Sequence, residues 1–90
     1  MDAIYEATRR LEASFDSWKV EELKGLPRAQ AKCQQFMKFH KRSLVRAYSN
    51  EFGLPRRVVE SVIKDSGLIL DPDALIEMFN ELSMMFEEYA

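Results

Sequence analysis

The sequence predicts an all-α protein, and three observations carry that prediction. Apolar residues recur three or four apart through every long stretch, which is the spacing of one face of a 3.6-residue helix. No stretch alternates apolar and polar residues with the period of two that a half-buried strand requires. The three glycines and three prolines fall between the periodic stretches, not inside them. The expected architecture is a compact bundle of four helices, or five if the long second one breaks, forming a single domain over residues 1–90. A chain of this length buries only roughly 60–65% of the surface its unfolded form exposes.

The first stripe reads Ile4, Ala7, Leu11, Phe15 and Trp18, with Thr8 and Ser14 alongside. Glu22 would fall on the same stripe, so the helix is expected to bend or end between Asp16 and Lys24. Gly25 is a natural C-terminal stop, and Pro27 suits the first turn of the next helix. From Ala29 the stripe continues through Cys33, Phe36, Met37, His40, Leu44, Ala47 and Tyr48. That is one helix of about seven turns ending near Glu51, within which a break at Arg42-Ser43 would leave no mark on the pattern. Gly53-Leu54-Pro55 forces a tight turn. A short helix from Pro55 to Ser66 then places Val59, Val62 and Ile63 on one side and Arg57, Glu60, Ser61 and Lys64 on the other, and Gly67 closes it. Asp71 is a good N-cap and Pro72 a good first residue for the last helix. Its inner face carries Leu75, Phe79, Leu82, Phe86 and Tyr89, with Met78 and Met85 beside them. Trp18, Phe36 and Leu44 are expected in the core.

Composition excludes several classes. An apolar fraction of 47% with 31% charged residues is that of an ordinary globular protein, not a disordered one. No apolar run approaches the ~18 residues of a membrane span, and Met1-Asp2 is no signal-peptide start. A single cysteine, Cys33, cannot form an internal disulfide and fits a reducing, cytoplasmic setting. Cys33 and His40 share a stripe, but two ligands do not make a zinc site, and no further ligand has suitable spacing. There is no phosphate-cradling glycine loop. Neither a catalytic constellation nor a cofactor site is expected, so the chain reads as a non-enzyme.

Charge is sorted along the chain. Residues 1–26 carry six acidic and four basic side chains. Residues 27–64 carry nine Lys or Arg against two acids, Glu51 and Glu60, and residues 65–90 carry seven acids and no Lys or Arg. A net charge of -2 thus hides blocks of -2 (4 − 6), +7 (9 − 2) and -7 (0 − 7). A basic block attracts phosphates or acidic protein, and an acidic one repels them. The alternative is that the blocks pair with one another inside one small fold.

Around Gly53 the apolar residues Tyr48, Phe52, Leu54, Val59 and Val62 stand five and one before, and one, six and nine after, the turn glycine. The small residue four before it is Ser49. This spacing resembles the helix-turn-helix motif of DNA-binding proteins, with Pro55 standing where a Ser or Thr N-cap is more usual. The resemblance covers residues 44–64 and implies that the second helix presents its outer face to the major groove. On that reading Arg57, Ser61 and Lys64 point outward, and Arg56 flanks them. Lys38, Arg42 and Arg46 of the preceding helix, on a face shared with Arg28 and Gln35, hold the phosphate backbone. Glu60 among them accepts from a cytosine amino group or repels phosphate.

The C-terminal helix has Asp73, Glu77, Glu81 and Glu88 on its outer face, yet Met84 lies in the middle of that face, with Ile76 on its edge and Met85 beside it. Apolar residues on nearly all sides imply burial from two directions, and Met suits adaptable interfaces. Two functions follow. One is a small dimeric transcriptional regulator that binds duplex DNA, its homodimer formed through this helix. The other is a helical protein-binding module (an adaptor, accessory subunit or inhibitor) that sets its acidic, Met-rich helix against a basic protein partner.

Overall fold

Where the sequence interrupts its helical period, the chain turns. The computed structural model describes the backbone of residues 1–89 and the side chains of residues 1–87. Within them lie four helices and no strand: α1 (Asp2–Lys24), α2 (Pro27–Phe52), α3 (Arg56–Ser66) and α4 (Pro72–Tyr89). The α1–α2 turn is closed by two backbone bonds, from the Gly25 N–H to the Glu22 carbonyl and from the Leu26 N–H to the Glu21 carbonyl, each 3.1 Å. Paired bonds of this kind around a left-handed residue satisfy the carbonyls a helix end would leave orphaned. Pro27 then opens α2 at a position where a missing N–H costs nothing. Asp71 caps α4, its side chain accepting the Ala74 N–H at 3.2 Å.

All four helices meet at one end of the molecule. Ile4, Ala7 and Leu11 of α1 pack with Leu44, Val45 and Tyr48 of α2, Leu54 of the turn, Val59 and Ile63 of α3, and Leu75 and Phe79 of α4. The Tyr48 and Phe79 rings lie 4.9 Å apart, tilted by 45°, and Phe52 adds a third ring 5.9 Å from Phe79. Two long-range bonds pin α4 across this core. The Tyr5 hydroxyl donates to Asp73 at 2.6 Å near its start, and the Ser83 hydroxyl donates to the Phe52 carbonyl at 3.0 Å near its end. The carboxylate beside it holds the Tyr5 phenol above its ordinary range, because it stabilises the protonated form.

The other end is built differently. The molecule measures 51 × 20 × 20 Å, and its long axis extends past the core as a two-helix arm made from the end of α1 and the start of α2. From Phe15 to Ser43 no residue is buried.

The arm explains where sequence expectation and structure part. α1 neither bends nor ends near Asp16 but runs unbroken to Lys24. Glu22 does fall on the stripe, yet it is exposed there, beyond the last buried residue of α1, Ser14, so the helix meets no apolar neighbour that would reject a carboxylate. α2 likewise runs through Arg42-Ser43 without a break. Leu44 is fully buried, but Phe36, expected in the core, is 59% exposed. Its spacing is right; Arg10, Ala13, Ser14 and Ser17 of α1 share its hollow, and none of them covers the ring. Trp18 is half-buried, with its indole N–H enclosed and unpartnered among the described residues. In α4, Leu82 is the last residue packed on the core, and Phe86, expected on the inner face, is 46% exposed one turn beyond it. The placements expected for the Glu88 and Tyr89 side chains lie outside the described residues.

Candidate nucleic-acid interface

The α2–α3 connection is three residues long, and its geometry follows from its side chains. Gly53 adopts a left-handed conformation, with φ 64° and ψ 30°, which β-carbon-bearing residues resist. Ser49 then closes the turn twice. Its carbonyl accepts the Leu54 N–H at 3.3 Å, and its hydroxyl donates to the Leu54 carbonyl at 2.6 Å. An alanine at 49 would make only the first of these bonds. Pro55, extended at φ -60° and ψ 142°, accepts the Val58 and Val59 N–H groups through its carbonyl and starts α3 without a side-chain cap. Tyr48, Leu54 and Val59 are buried together, and Phe52 and Val62 pack half-buried against them. The apolar residues around Gly53 thus join α2 to α3.

On the outside of this unit the cations stand open. Arg28, Lys32, Lys38, Lys41, Arg42, Arg46, Arg56, Arg57 and Lys64 are all exposed. Among the described residues there are two ion pairs, Met1 N-terminus to Glu51 at 3.5 Å and Arg10 to Glu6 at 2.6 Å. Neither involves any of the nine. Among the described residues, then, no carboxylate of the acidic end lies within ion-pair distance of the basic middle.

Three of the predicted contact residues border two different hollows. Arg42 and Lys64 line one open hollow of about 360 Å³ between α2 and α3, together with Lys41, Glu60, Val45, Ile63, Gly67 and Ile69. Arg46, one helical step on, borders the opposite groove, between α2 and α1, beside Glu6, Arg10 and Asn50. Residues four apart drift about 40° around a helix, so the strip Lys38, Arg42, Arg46 winds from one side of α2 towards the other. Arg56, Arg57 and Ser61 are exposed on α3. Lys41 is the addition to the predicted set. It stands one helical turn before Val45, with which it lines the α3-side hollow.

Two further surfaces stand out. On α4, Met84 is 67% exposed and Met85 52%, and they form one surface with Glu81 and Glu87. Ile76 is half-buried against the core, so the exposed large apolar side chains of α4 are Met84, Met85 and Phe86, with Met78 less exposed. On the arm, Phe36 and Phe39 flank His40, with ring centroids 6.4 and 5.6 Å from it.

Among the described residues no group of three or more His, Cys, Asp or Glu side chains could hold a metal ion, and no helix is long and apolar enough to cross a membrane. Comparison with protein-family models, with curated proteins and with solved structures finds no match to this chain.

Proposed function

We propose that this chain is a small transcriptional regulator that binds duplex DNA through α3 and the facing part of α2. The observation that supports this reading is the open basic surface: the block at +7 is exposed and, among the described residues, unpaired with carboxylate. Such a surface carries counterion-releasing contacts to phosphate. Lys41, Arg42 and Lys64 line one hollow, with Glu60 as its one acid, so three cations border the space a phosphate would enter. Arg57, Ser61 and Lys64 on α3 supply the side chains that read base edges or hold backbone, and Arg56 flanks them. Lys38, Lys41, Arg42 and Arg46 anchor the duplex.

The test is a salt titration with random duplex DNA. If four phosphates are neutralised per protomer, log K falls against log salt with a slope of roughly -3.6. Arg42→Ala lowers affinity for all sequences alike and makes the slope shallower by about one. Arg57→Ala costs ~1–3 kcal/mol on a preferred site and much less elsewhere. Absence of binding at low salt, where the electrostatic attraction is strongest, removes this reading.

A second reading rests on α4. Met84, Met85 and Phe86 are exposed among carboxylates, a combination suited to a basic, amphipathic protein partner. From Asp71 onward the chain carries six acids and no cation (Asp71, Asp73, Glu77, Glu81, Glu87, Glu88). Two copies of this helix would bring like charges together, so a basic partner fits α4 better than a second copy does.

A further inference from the structure

We infer that the outer face of α2 along the arm binds single-stranded nucleic acid, with Phe36 and Phe39 stacking on unpaired bases and Arg28 and Lys32 holding phosphates. Lys32, Gln35, Phe36 and Phe39 stand four, seven, eight and eleven residues after Arg28, and residues at those steps share one face of a helix. All five are exposed, the rings by 59% and 63%. Lys32, Gln35, Phe36 and Phe39 line one open hollow of about 620 Å³, together with His40. Every residue lining it belongs to α2, so it is a surface of one helix and not a seam between two. The buried residues of α2 are Leu44, Val45 and Tyr48, all beyond the rings. Exposed aromatic side chains grouped in this way mark a surface for interaction.

Charge and ring chemistry together point to the ligand. From Phe15 to Ser43 the arm carries seven cations against three acids, Asp16, Glu21 and Glu22. All three acids are on α1. Over residues 27–43, α2 carries Arg28, Lys32, Lys38, Lys41 and Arg42 and no acid. A face of this sign attracts a polyanion. The rings add a requirement that phosphate alone does not meet, namely a flat apolar partner. In a duplex the bases stack on one another and present only their edges to the grooves. In a single strand each base offers its π face, so successive bases and phosphates satisfy rings and cations together. An acidic peptide would meet the cations and leave the ring faces without a planar partner.

The dimensions suit a short stretch of strand. Arg28 and Phe39 are about 16 Å apart along the helix axis at 1.5 Å per residue, which spans about five nucleotides at a stacked spacing of 3.4 Å. His40, half-buried, neighbours both rings, with centroids 6.4 Å from Phe36 and 5.6 Å from Phe39. It limits the freedom the rings have left to lose on binding. Stacking accepts every base, so binding is expected to tolerate sequence, and the Gln35 amide can donate to or accept from a base edge. The inference does not rest on duplex binding. Arg28, Lys32 and the two rings lie outside the set of residues assigned to the duplex.

Fluorescence anisotropy with labelled oligothymidylate and oligouridylate of about 16 nucleotides, each titrated with the full chain at low salt, tests this. Binding of either strand is expected, and the tighter of the two tells DNA from RNA. Phe36→Ala and Phe39→Ala should each weaken it by about 5- to 100-fold, with unchanged helical circular dichroism because both rings are exposed. Phe39→Trp should keep the affinity, since indole also stacks. Phe36→Leu, apolar without a π face, should lose nearly as much as Phe36→Ala. Lys32→Ala should make the salt slope shallower by about 0.7. Phe36→Ala should leave the affinity for random duplex DNA unchanged, and Arg57→Ala should leave single-strand binding unchanged, so the two readings fail separately. Absence of binding to both strands at low salt overturns the inference, as do alanine variants that bind as the wild type does. Full affinity in Phe36→Leu also overturns it, because the rings would then serve only as apolar surface. Tighter binding to phosphatidylserine vesicles than to either strand, lost in Phe36→Ala, overturns it and assigns the face to a lipid surface.

Discussion

Tyr48 shows how one atom can mark the limits of a small core. Its ring joins three helices, yet its hydroxyl is enclosed without a hydrogen-bond partner among the described residues. The neighbouring Thr8 hydroxyl donates to the Ile4 carbonyl at 2.8 Å and keeps its lone pairs, but the Tyr48 hydroxyl does not reach them in hydrogen-bonding geometry. Burial pushes the phenol from 10.0 up to about 12, with Thr8 acting weakly against it. The folded chain therefore holds this proton more tightly than the unfolded one. That contribution is complete below about pH 10 and is lost as pH rises towards 12, a change of about 2–3 kcal/mol. Tyr48→Phe should remove this component of alkaline loss, measured as the difference between variant and wild type in urea unfolding at pH 9 and pH 11. At neutral pH the variant should be as stable or more stable by about 1 kcal/mol, because an unpaired buried hydroxyl is gone. A loss of more than about 1 kcal/mol would mean that a water or a side chain satisfies the hydroxyl in solution.

At the scale of elements, the turns were legible in the sequence and the ends of apolar stripes were not. Gly25, Gly53 and Gly67 all stand where helices stop, and Asp71-Pro72 starts α4 as its residue types require. Backbone preferences of this kind are local, so they can be read from a few residues. Whether Phe36 or Phe86 is covered depends on which helix lies opposite, and periodicity only says which side a residue faces. The same limit applies to the candidate interface. Spacing put Lys38, Arg42 and Arg46 on one strip, but the packing of α1 and α3 divides that strip between two grooves. Gly53→Ala tests the turn on which α3 depends. Nothing lies within 4 Å of an added Cβ, so the cost is that of left-handed backbone alone, about 1–2 kcal/mol. Chemical denaturation should show this loss with an unchanged dependence on denaturant. A loss below about 0.5 kcal/mol would place Gly53 among ordinary surface positions and show that the turn relaxes.

Across the whole molecule, three kinds of surface are exposed: cations along α2 and α3, aromatic rings among those cations on the arm portion of α2, and methionines among carboxylates on α4. The α4 surface lies on its own element, so its role is measurable apart from the other two, since substitutions with no shared partners combine nearly additively. The acidic helix gives the sharpest discrimination. A basic peptide held on α4 by charge alone would bind more tightly to Met84→Glu, which adds a carboxylate. A peptide that buries the methionine would bind less tightly, because the apolar contribution of about 1–2 kcal/mol, part of a side chain's full burial, is replaced by the cost of desolvating a charge. Titration of a Leu/Lys amphipathic helical peptide into the two proteins therefore decides between attraction and docking. The expected result is weaker binding by roughly 5–30-fold, with the sedimentation of the protein alone and the salt slope on duplex DNA unchanged. Tighter binding by the variant would reduce α4 to a charged surface.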